Sequence, residues 1–255
     1  MKFLIFYLKQ ATNLKIRIVK NPKELNGTKR YLAENLLTSN ECNSLIYIAH
    51  LFGLVGDGYA NNTSPHTRNE LFGGITLSRL TFLVNLGLID VKYLKIIVNV
   101  ATKAKADIES YFNVTNLYFS YTHLVCRSAI PGLQDERNDL SHSVHADNCN
   151  LYPNGTCIRA FPSYTSREYS AIIYLNSDIT GGDFIFVADQ KGRDVQSSIK
   201  PECGRMVAFS SGFENLHAVK AVTEGTRCAI AVWFTFDPTE AEDYEYIYNL
   251  IRNDS

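Results

Sequence analysis

The chain has no apolar run of about 18 residues, so nothing in it reads as a membrane-spanning helix. It has almost no net charge either. Lys and Arg number 25 against 26 Asp and Glu, and the resulting −1 argues against nucleic acid as a partner. The apolar stretch at the N-terminus, Phe3 to Leu8, ends at Lys9 after six residues and is too short to count as a secretory signal. What is present suits one enzyme-sized domain: 255 residues, 45% hydrophobic and 20% charged, enough to bury a sizeable core.

Periodicity orders the chain as helices, then strands, then one helix. Thr38-Ser-Asn-Glu41 is a capping box that opens a helix, and Cys42, Leu45, Ile46, Ala49 and Phe52 form its apolar stripe up to Gly53. A second helix starts at Asp90, with Val91, Leu94, Ile97, Ala101, Ala104, Ile108 and Tyr111 at helical spacing. Eight or so strands follow, with Gly181-Gly182 read as a hairpin turn after Tyr169 to Asn176, and Asp237-Pro-Thr-Glu240 opens a terminal helix. The segment from Gly56 through Gly74 is rich in Gly, Asn, Ser, Thr and Pro and reads as a solvated loop. In an enzyme acting on a peptide it is also where a lid would sit.

Four residues of the C-terminal half carry chemistry. His145 and Asp147 stand in Ser-Val-His-Ala-Asp, His217 in Glu-Asn-Leu-His-Ala-Val, and Arg227 in Glu-Gly-Thr-Arg-Cys-Ala. Two imidazoles and a carboxylate can occupy one face of an octahedral Fe(II) and leave three sites open for a co-substrate and O₂. A dicarboxylic co-substrate then presents a far carboxylate, which a guanidinium is shaped to hold in two parallel hydrogen bonds. His-x-Asp alone is weak, because six histidines in 255 residues produce such a pair by accident. The extended reading of Ser143 to Asp147 strengthens it, since residues two apart face the same side. Arg227 opens a later strand in which Arg227, Ala229, Ala231 and Trp233 share one face. Cys228, Ile230, Val232 and Phe234 make the other face apolar, suited to packing helices. A zinc site from His145, Cys149 and Cys157 would need irregular spacing and leaves His217 and Arg227 unexplained.

The six cysteines, at 42, 126, 149, 157, 203 and 228, are compatible with an oxidising compartment. Cys149 and Cys157 flank a polar loop that a disulfide could close, whereas Cys126 and Cys228, on apolar strands, read as buried thiols. Sequons at Asn26, Asn61, Asn62, Asn113 and Asn154 favour passage through the secretory pathway.

The stretches 116–127, 137–149, Gly181-Gly-Asp-Phe-Ile-Phe186, 199–206 and 209–233, with Val55-Gly-Asp-Gly-Tyr59 and Thr63 to Glu70 upstream, resemble the catalytic domain of the collagen prolyl 3-hydroxylases (leprecans) over about residues 22–238. The resemblance implies an α+β, mainly β fold: a double-stranded β-helix (jelly-roll) core with flanking N-terminal helices and a C-terminal helix. The expected layout is an N-terminal extension over 1–21 and a dioxygenase domain over 22–255, with helical support at about 36–112, the jelly roll at about 116–236 and the terminal helix at about 237–252. It also implies Fe(II) held by His145, Asp147 and His217, 2-oxoglutarate anchored by Arg227, and L-ascorbate as the reductant that rescues oxidised iron. Many relatives carry a hydroxyl two residues after the arginine. Ala229 stands there in this chain, so His142 or Tyr121 is expected to help at the distal carboxylate.

The implied reaction is hydroxylation of C3 of proline in Gly-Pro-4-hydroxyproline sequence of unfolded procollagen chains in the endoplasmic reticulum lumen, with further collagen-modification subunits as candidate partners. Tyr59, Tyr152, Phe161 and Tyr164 are the aromatics expected to grip such a peptide, and Arg167 to orient a substrate carbonyl. Such relatives carry a long helical-repeat region ahead of this domain and a retention tetrapeptide at the end. This sequence has neither and is expected to be a fragment, an incomplete gene model or a compact variant. The alternatives are a non-catalytic collagen-binding or chaperone subunit and a prolyl or lysyl hydroxylase of different regiochemistry.

Overall fold

The computed structural model describes residues 17–19, 25, 28–55, 66–135 and 137–253. Residues 56–65 of the expected loop, the sequons at Asn26, Asn61 and Asn62, and most of the expected N-terminal extension lie outside the described residues. The described elements begin with β1 (Arg17–Val19), β2 (Arg30–Glu34), helix α1 (Ser39–Phe52), β3 (Leu54–Val55), β4 (Glu70–Thr76), α2 (Leu77–Asn85), α3 (Val91–Phe112) and β5 (Tyr118–Ala129). Then come β6 (Leu140–His145), β7 (Asn150–Leu151), β8 (Cys157–Ile158), β9 (Tyr169–Tyr174), β10 (Ile179–Gly181), β11 (Phe184–Val187) and β12 (Val195–Ile199). The last elements are β13 (Met206–Ser210), β14 (His217–Lys220), β15 (Val222–Thr235) and α4 (Tyr244–Asn253).

Two antiparallel layers form the core of a jelly roll. One is the run β13-β9-β15-β5, extended by β2 and β1 on one side and by β4 and β3 on the other; the second is β12-β11-β14-β6. Alternation assigns the faces. Tyr174 of β9, Val207 and Phe209 of β13 and Ala229 of β15 meet Phe184 and Phe186 of β11, Ile199 of β12 and Val219 of β14 between the layers. The opposite face of the large sheet, with Ile173, Met206, Ala208, Cys228, Ile230, Val232 and Phe234, packs against the buried stripes of α1, α2 and α3. The α3 stripe shows why a helix fits there: Leu94, Ile97, Ala101, Ala104 and Ile108 recur every three or four residues and are all buried. Tyr31 of β2 fastens α3 to the sheet by donating to Asp107 Oδ2 at 2.6 Å.

The helix starts follow the expected caps. Thr38 and Glu41 complete the capping box of α1, and the Asp90 side chain accepts from Lys92 N–H at the start of α3. Three expectations need correction. Residues 70–74 are not loop but strand β4, and Gly74 is there because a Cβ would lie 2.8 Å from His123 Nε2 and from the Leu124 carbonyl. The Gly181-Gly182 turn is not a hairpin within one sheet; both glycines adopt positive φ and carry the chain from β10, paired with β15, across to β11 in the other layer. Asp237 caps only a 3₁₀ turn at Pro238–Glu240, after which Glu242 N–H bonds the Phe119 carbonyl and the helix starts at Tyr244. β15 begins at Val222 and lies in the opposite layer from β14, so the chain crosses the end of the roll between His217 and Arg227.

All six cysteines are paired, as Cys42–Cys203, Cys126–Cys228 and Cys149–Cys157. The last closes the polar loop as expected. Cys126 and Cys228 are not thiols: the antiparallel register of β5 and β15 sets them directly opposite, with Cα atoms 4.1 Å apart.

Candidate metal centre and anion pocket

His145 closes β6 and His217 opens β14, and the two residues are register partners. β6 bulges against β14, because Val219 pairs with His142 and His217 with His145; two steps on one strand answer three on the other. The bulge brings His142 and His145 near the same lumen despite their odd spacing. Asp147 lies just past the strand. Its backbone N–H donates to the Ser211 carbonyl at 3.0 Å, and its Oδ2 accepts from Ser170 Oγ at 2.6 Å, with Ser211 Oγ 2.8 Å from that hydroxyl.

The donor set fits a cation. Nδ1 of His145 lies 2.8 Å from the Ser143 carbonyl and Nδ1 of His217 lies 2.8 Å from the Asn215 carbonyl, so each ring donates from Nδ1 and keeps its Nε2 lone pair free. Those Nε2 atoms stand 3.6 and 3.8 Å from the Asp147 carboxylate oxygens, and one ligand atom from each of the three residues lies within 4.8 Å of the others. Burial pushes His217 down to about 4, with His145 adding to the effect and Asp147 opposing it, so its imidazole is neutral at ordinary pH. Burial disfavours the Asp147 charge, but His217 and His145 outweigh it and hold the carboxyl well below its usual range. Phe184 stacks on His217 with ring centres 5.1 Å apart and fixes its plane. His142 sits behind His145, Nδ1 to Nδ1 at 3.0 Å, and His66 packs on His142 with ring centres 3.8 Å apart.

Arg227 projects from β15 into the same lumen, 5% exposed. Its Nη2 is 3.5 Å from the Tyr174 hydroxyl, and its Nε has no hydrogen-bond partner among the described residues. A buried guanidinium with an idle donor is suited to an anion. Gly182 leaves it room, since a Cβ there would come within 2.9 Å of Arg227 Cδ. Tyr174 is the partner that sequence reasoning missed; the available signal was its place on the Ser170, Ile172, Tyr174 face of β9. Tyr121 does not fill that role. It pairs with Trp233, six residues along β15 from Arg227 and so about 20 Å away. His142 pairs with Val219 and turns its Nδ1 to His145.

At the Trp233 end, Arg167 is 7% exposed and lies between aromatic rings, 3.9 Å from the centre of Tyr164 and 4.2 Å from that of Trp233. Trp233 Nε1 is buried with no partner among the described residues. Tyr164 and Phe161 are 64% and 94% exposed, an aromatic rim on the loop that leads into β9. Tyr152 is 43% exposed on the β7–β8 hairpin, whose Tyr152 carbonyl accepts from Gln190. Tyr59 lies outside the described residues.

Residues 134–235 match the model of the 2OG-Fe(II) oxygenase superfamily. Prolyl 3-hydroxylase 2 of Mus musculus is 49% identical over 229 residues, covering 89% of this chain and 32% of that protein. Prolyl 3-hydroxylase 1 of Homo sapiens is 46% identical over 229 residues, covering 89% and 31%. The chain thus spans about a third of the length of the curated relatives it matches. Among solved structures, a viral collagen prolyl hydroxylase from Paramecium Bursaria Chlorella virus-1, in its 2OG complex, has a TM-score of 0.51 at 16% identity, covering 82% of this chain and 97% of that one. A prolyl hydroxylase from Trichoplax adhaerens, in complex with a hypoxia inducible factor peptide fragment, has a TM-score of 0.51 at 16% identity, covering 94% and 95%. These two likenesses bear on the fold alone.

Proposed function

The chain belongs to the 2OG-Fe(II) oxygenase superfamily, in the branch of the prolyl 3-hydroxylases, and from that premise we propose that it is a procollagen-proline 3-dioxygenase. The observation that carries the proposal is the meeting, in one lumen, of a His145, Asp147, His217 donor set with a buried Arg227 that has an idle N–H. His145 Nε2, His217 Nε2 and an Asp147 oxygen would hold Fe(II), oriented by the Ser143 and Asn215 carbonyls and by Ser170. Arg227 and the Tyr174 hydroxyl would hold the far carboxylate of 2-oxoglutarate. When bound, Fe(II) with 2-oxoglutarate and O₂ supplies the oxidation that places one hydroxyl on proline and leaves succinate and CO₂.

The protein's own part is placement. Phe184, Phe186 and Phe209 keep water from one wall of the lumen, and the Tyr164, Arg167, Trp233 stack at its other end is suited to grip a proline-rich strand. C3 rather than C4 regiochemistry is a matter of about an ångström of substrate position and is inferred from the relatives. L-Ascorbate is the expected reductant. Three disulfides and the exposed sequons Asn113 and Asn154 suit the oxidising lumen of the endoplasmic reticulum, where unfolded procollagen chains and other collagen-modification subunits would be its partners. The test is a Gly-Pro-4-hydroxyproline peptide with Fe(II), 2-oxoglutarate and ascorbate, followed by mass spectrometry and amino-acid analysis. Succinate release with 3-hydroxyproline ahead of 4-hydroxyproline is expected. Exclusive 4-hydroxylation, or turnover of lysine and none of the collagen peptide, overturns the assignment.

A further inference from the structure

The two imidazoles of the donor set are held in different ways. His217 is walled in: its side chain is 5% exposed, Phe184 stacks on it, and Phe209 meets its ring with centres 4.7 Å apart. His145 has no such wall. Its side chain is 30% exposed at the end of β6, and among the described residues the rings that touch it are those of His142 and His217, with centres 4.0 and 4.2 Å away. A ligand free to turn about its own side-chain bonds holds a cation loosely, so the less enclosed imidazole needs another constraint. His142 stands where it can supply one. Residues three apart on a regular strand face opposite sides, and the extra step between the Val219–His142 and His217–His145 pairs is what brings the two rings together.

The two Nδ1 atoms are 3.0 Å apart, a distance at which one must donate and the other accept. His145 Nδ1 is also 2.8 Å from the Ser143 carbonyl, which can only accept, so the proton belongs to His145 and the bare nitrogen to His142. We propose that His142 is a positioning residue for the metal. Its Nδ1 lone pair shares the His145 Nδ1–H with the Ser143 carbonyl, which fixes the tautomer that leaves His145 Nε2 bare and sets the plane of the ring. Carboxylates and carbonyls commonly back a ligating imidazole in this way; a second histidine does so without adding negative charge beside the cation. His66 packs on His142 with ring centres 3.8 Å apart and keeps the accepting ring from turning away. His142 thus does for the exposed imidazole what Phe184 does for the buried one. The inference rests on the triad reading given above.

The test separates the accepting nitrogen from the mere presence of a ring. Co(II) is loaded into the full chain, its affinity is measured by competition with a chelator, and proton NMR reads the paramagnetically shifted N–H signals of the ligating imidazoles. Two exchangeable signals are expected in the wild type, one from each Nδ1–H. His142→Leu is expected to lose one of them to fast exchange with water and to bind Co(II) about 10–100-fold more weakly. Asparagine carries its amide oxygen about where histidine carries Nδ1, so His142→Asn should keep both signals and an affinity close to that of the wild type. Two signals with undiminished affinity in His142→Leu, or a His142→Asn as impaired as His142→Leu, overturns the positioning role. A single exchangeable signal in the wild type overturns the tautomer assignment, and that reading needs no variant to fold. A wild-type chain that takes up no Co(II) overturns the triad reading beneath.

Discussion

His145 and His217 each tie Nδ1 to a carbonyl two residues back in their own chain, which leaves Nε2 as the only ring atom from which either can reach a cation. Loss of either imidazole should therefore abolish tight metal binding: His145→Ala and His217→Ala, assayed for bound iron by elemental analysis, should purify essentially metal-free, and near-normal iron would remove the assignment. Ser170→Ala should be milder, about 10–100-fold in metal affinity, because it only frees the Asp147 carboxylate that the hydroxyl orients. At the other end of the lumen, Arg227→Ala should cost about 2–3 kcal/mol in 2-oxoglutarate binding with iron retained, Arg227→Lys less, and Tyr174→Phe about tenfold or below. Unchanged 2-oxoglutarate dependence in Arg227→Ala would mean the co-substrate is held elsewhere. His145 and Asp147 were legible as a local His-x-Asp pair on an extended segment, and His217 and Arg227, far along the chain, were legible because their own short motifs resemble those of a known family. Tyr174 and Ser170 were not, because each meets its partner in the site only once the strands that carry them have paired, across 53 and 23 residues of chain.

Elements β4, β6 and β15 meet at a buried polar knot. Arg137 donates to Glu70, Asp139, Gln134 and the Val222 carbonyl, and Glu70 also accepts from Ser141 Oγ and Val222 N–H. The Arg137 and Glu70 side chains are 3% and 0% exposed. Glu70→Ala should cost about 3–5 kcal/mol by stranding the guanidinium, measured as a urea midpoint; a loss under about 1 kcal/mol would show the knot to be solvated. The knot also explains why β4 was misread as loop: its sequence is glycine-rich, and what makes it a strand is pairing with β5 and the buried anchor at its first residue. The C-terminal segment carries a second buried carboxyl. Burial raises Glu242 from 4.5 to about 7, against the opposing hydrogen bond from Thr122. Its folded-state pKa exceeds the unfolded one, so its contribution is present below about pH 4.5 and is lost as pH rises to about 7. His66 and His217, with lowered pKa values, work in the opposite direction over about pH 4 to 6.5. The difference between wild type and Glu242→Gln isolates the carboxyl: the variant should gain relative stability from about pH 5 to 7.5, and a difference independent of pH would contradict the shift.

Across the whole molecule, the jelly roll uses both faces of its large sheet. One face lines the lumen with Tyr174, Val207, Phe209 and Ala229, and the other supplies half of the main core, opposite α1, α2 and α3. Cys42–Cys203 ties the helical layer to the loop before β13 across 161 residues, a constraint worth about 4–5 kcal/mol on chain-entropy grounds. The roll is therefore not expected to stand alone. A fragment of residues 116–236 would leave Ile173, Met206, Ala208, Ile230, Val232 and Phe234 facing water, and each large side chain among them loses about 1.5–3 kcal/mol of burial. Together those losses are as large as the roughly 5–15 kcal/mol by which a domain is usually stable, so the fragment should aggregate or bind an apolar dye and show no cooperative thermal transition. The full chain, with its disulfides intact, should unfold in one transition. A soluble 116–236 fragment that melts cooperatively and still binds metal would show that the helices are an accessory to the site, and the donor triad would then owe its geometry to the two strand layers alone.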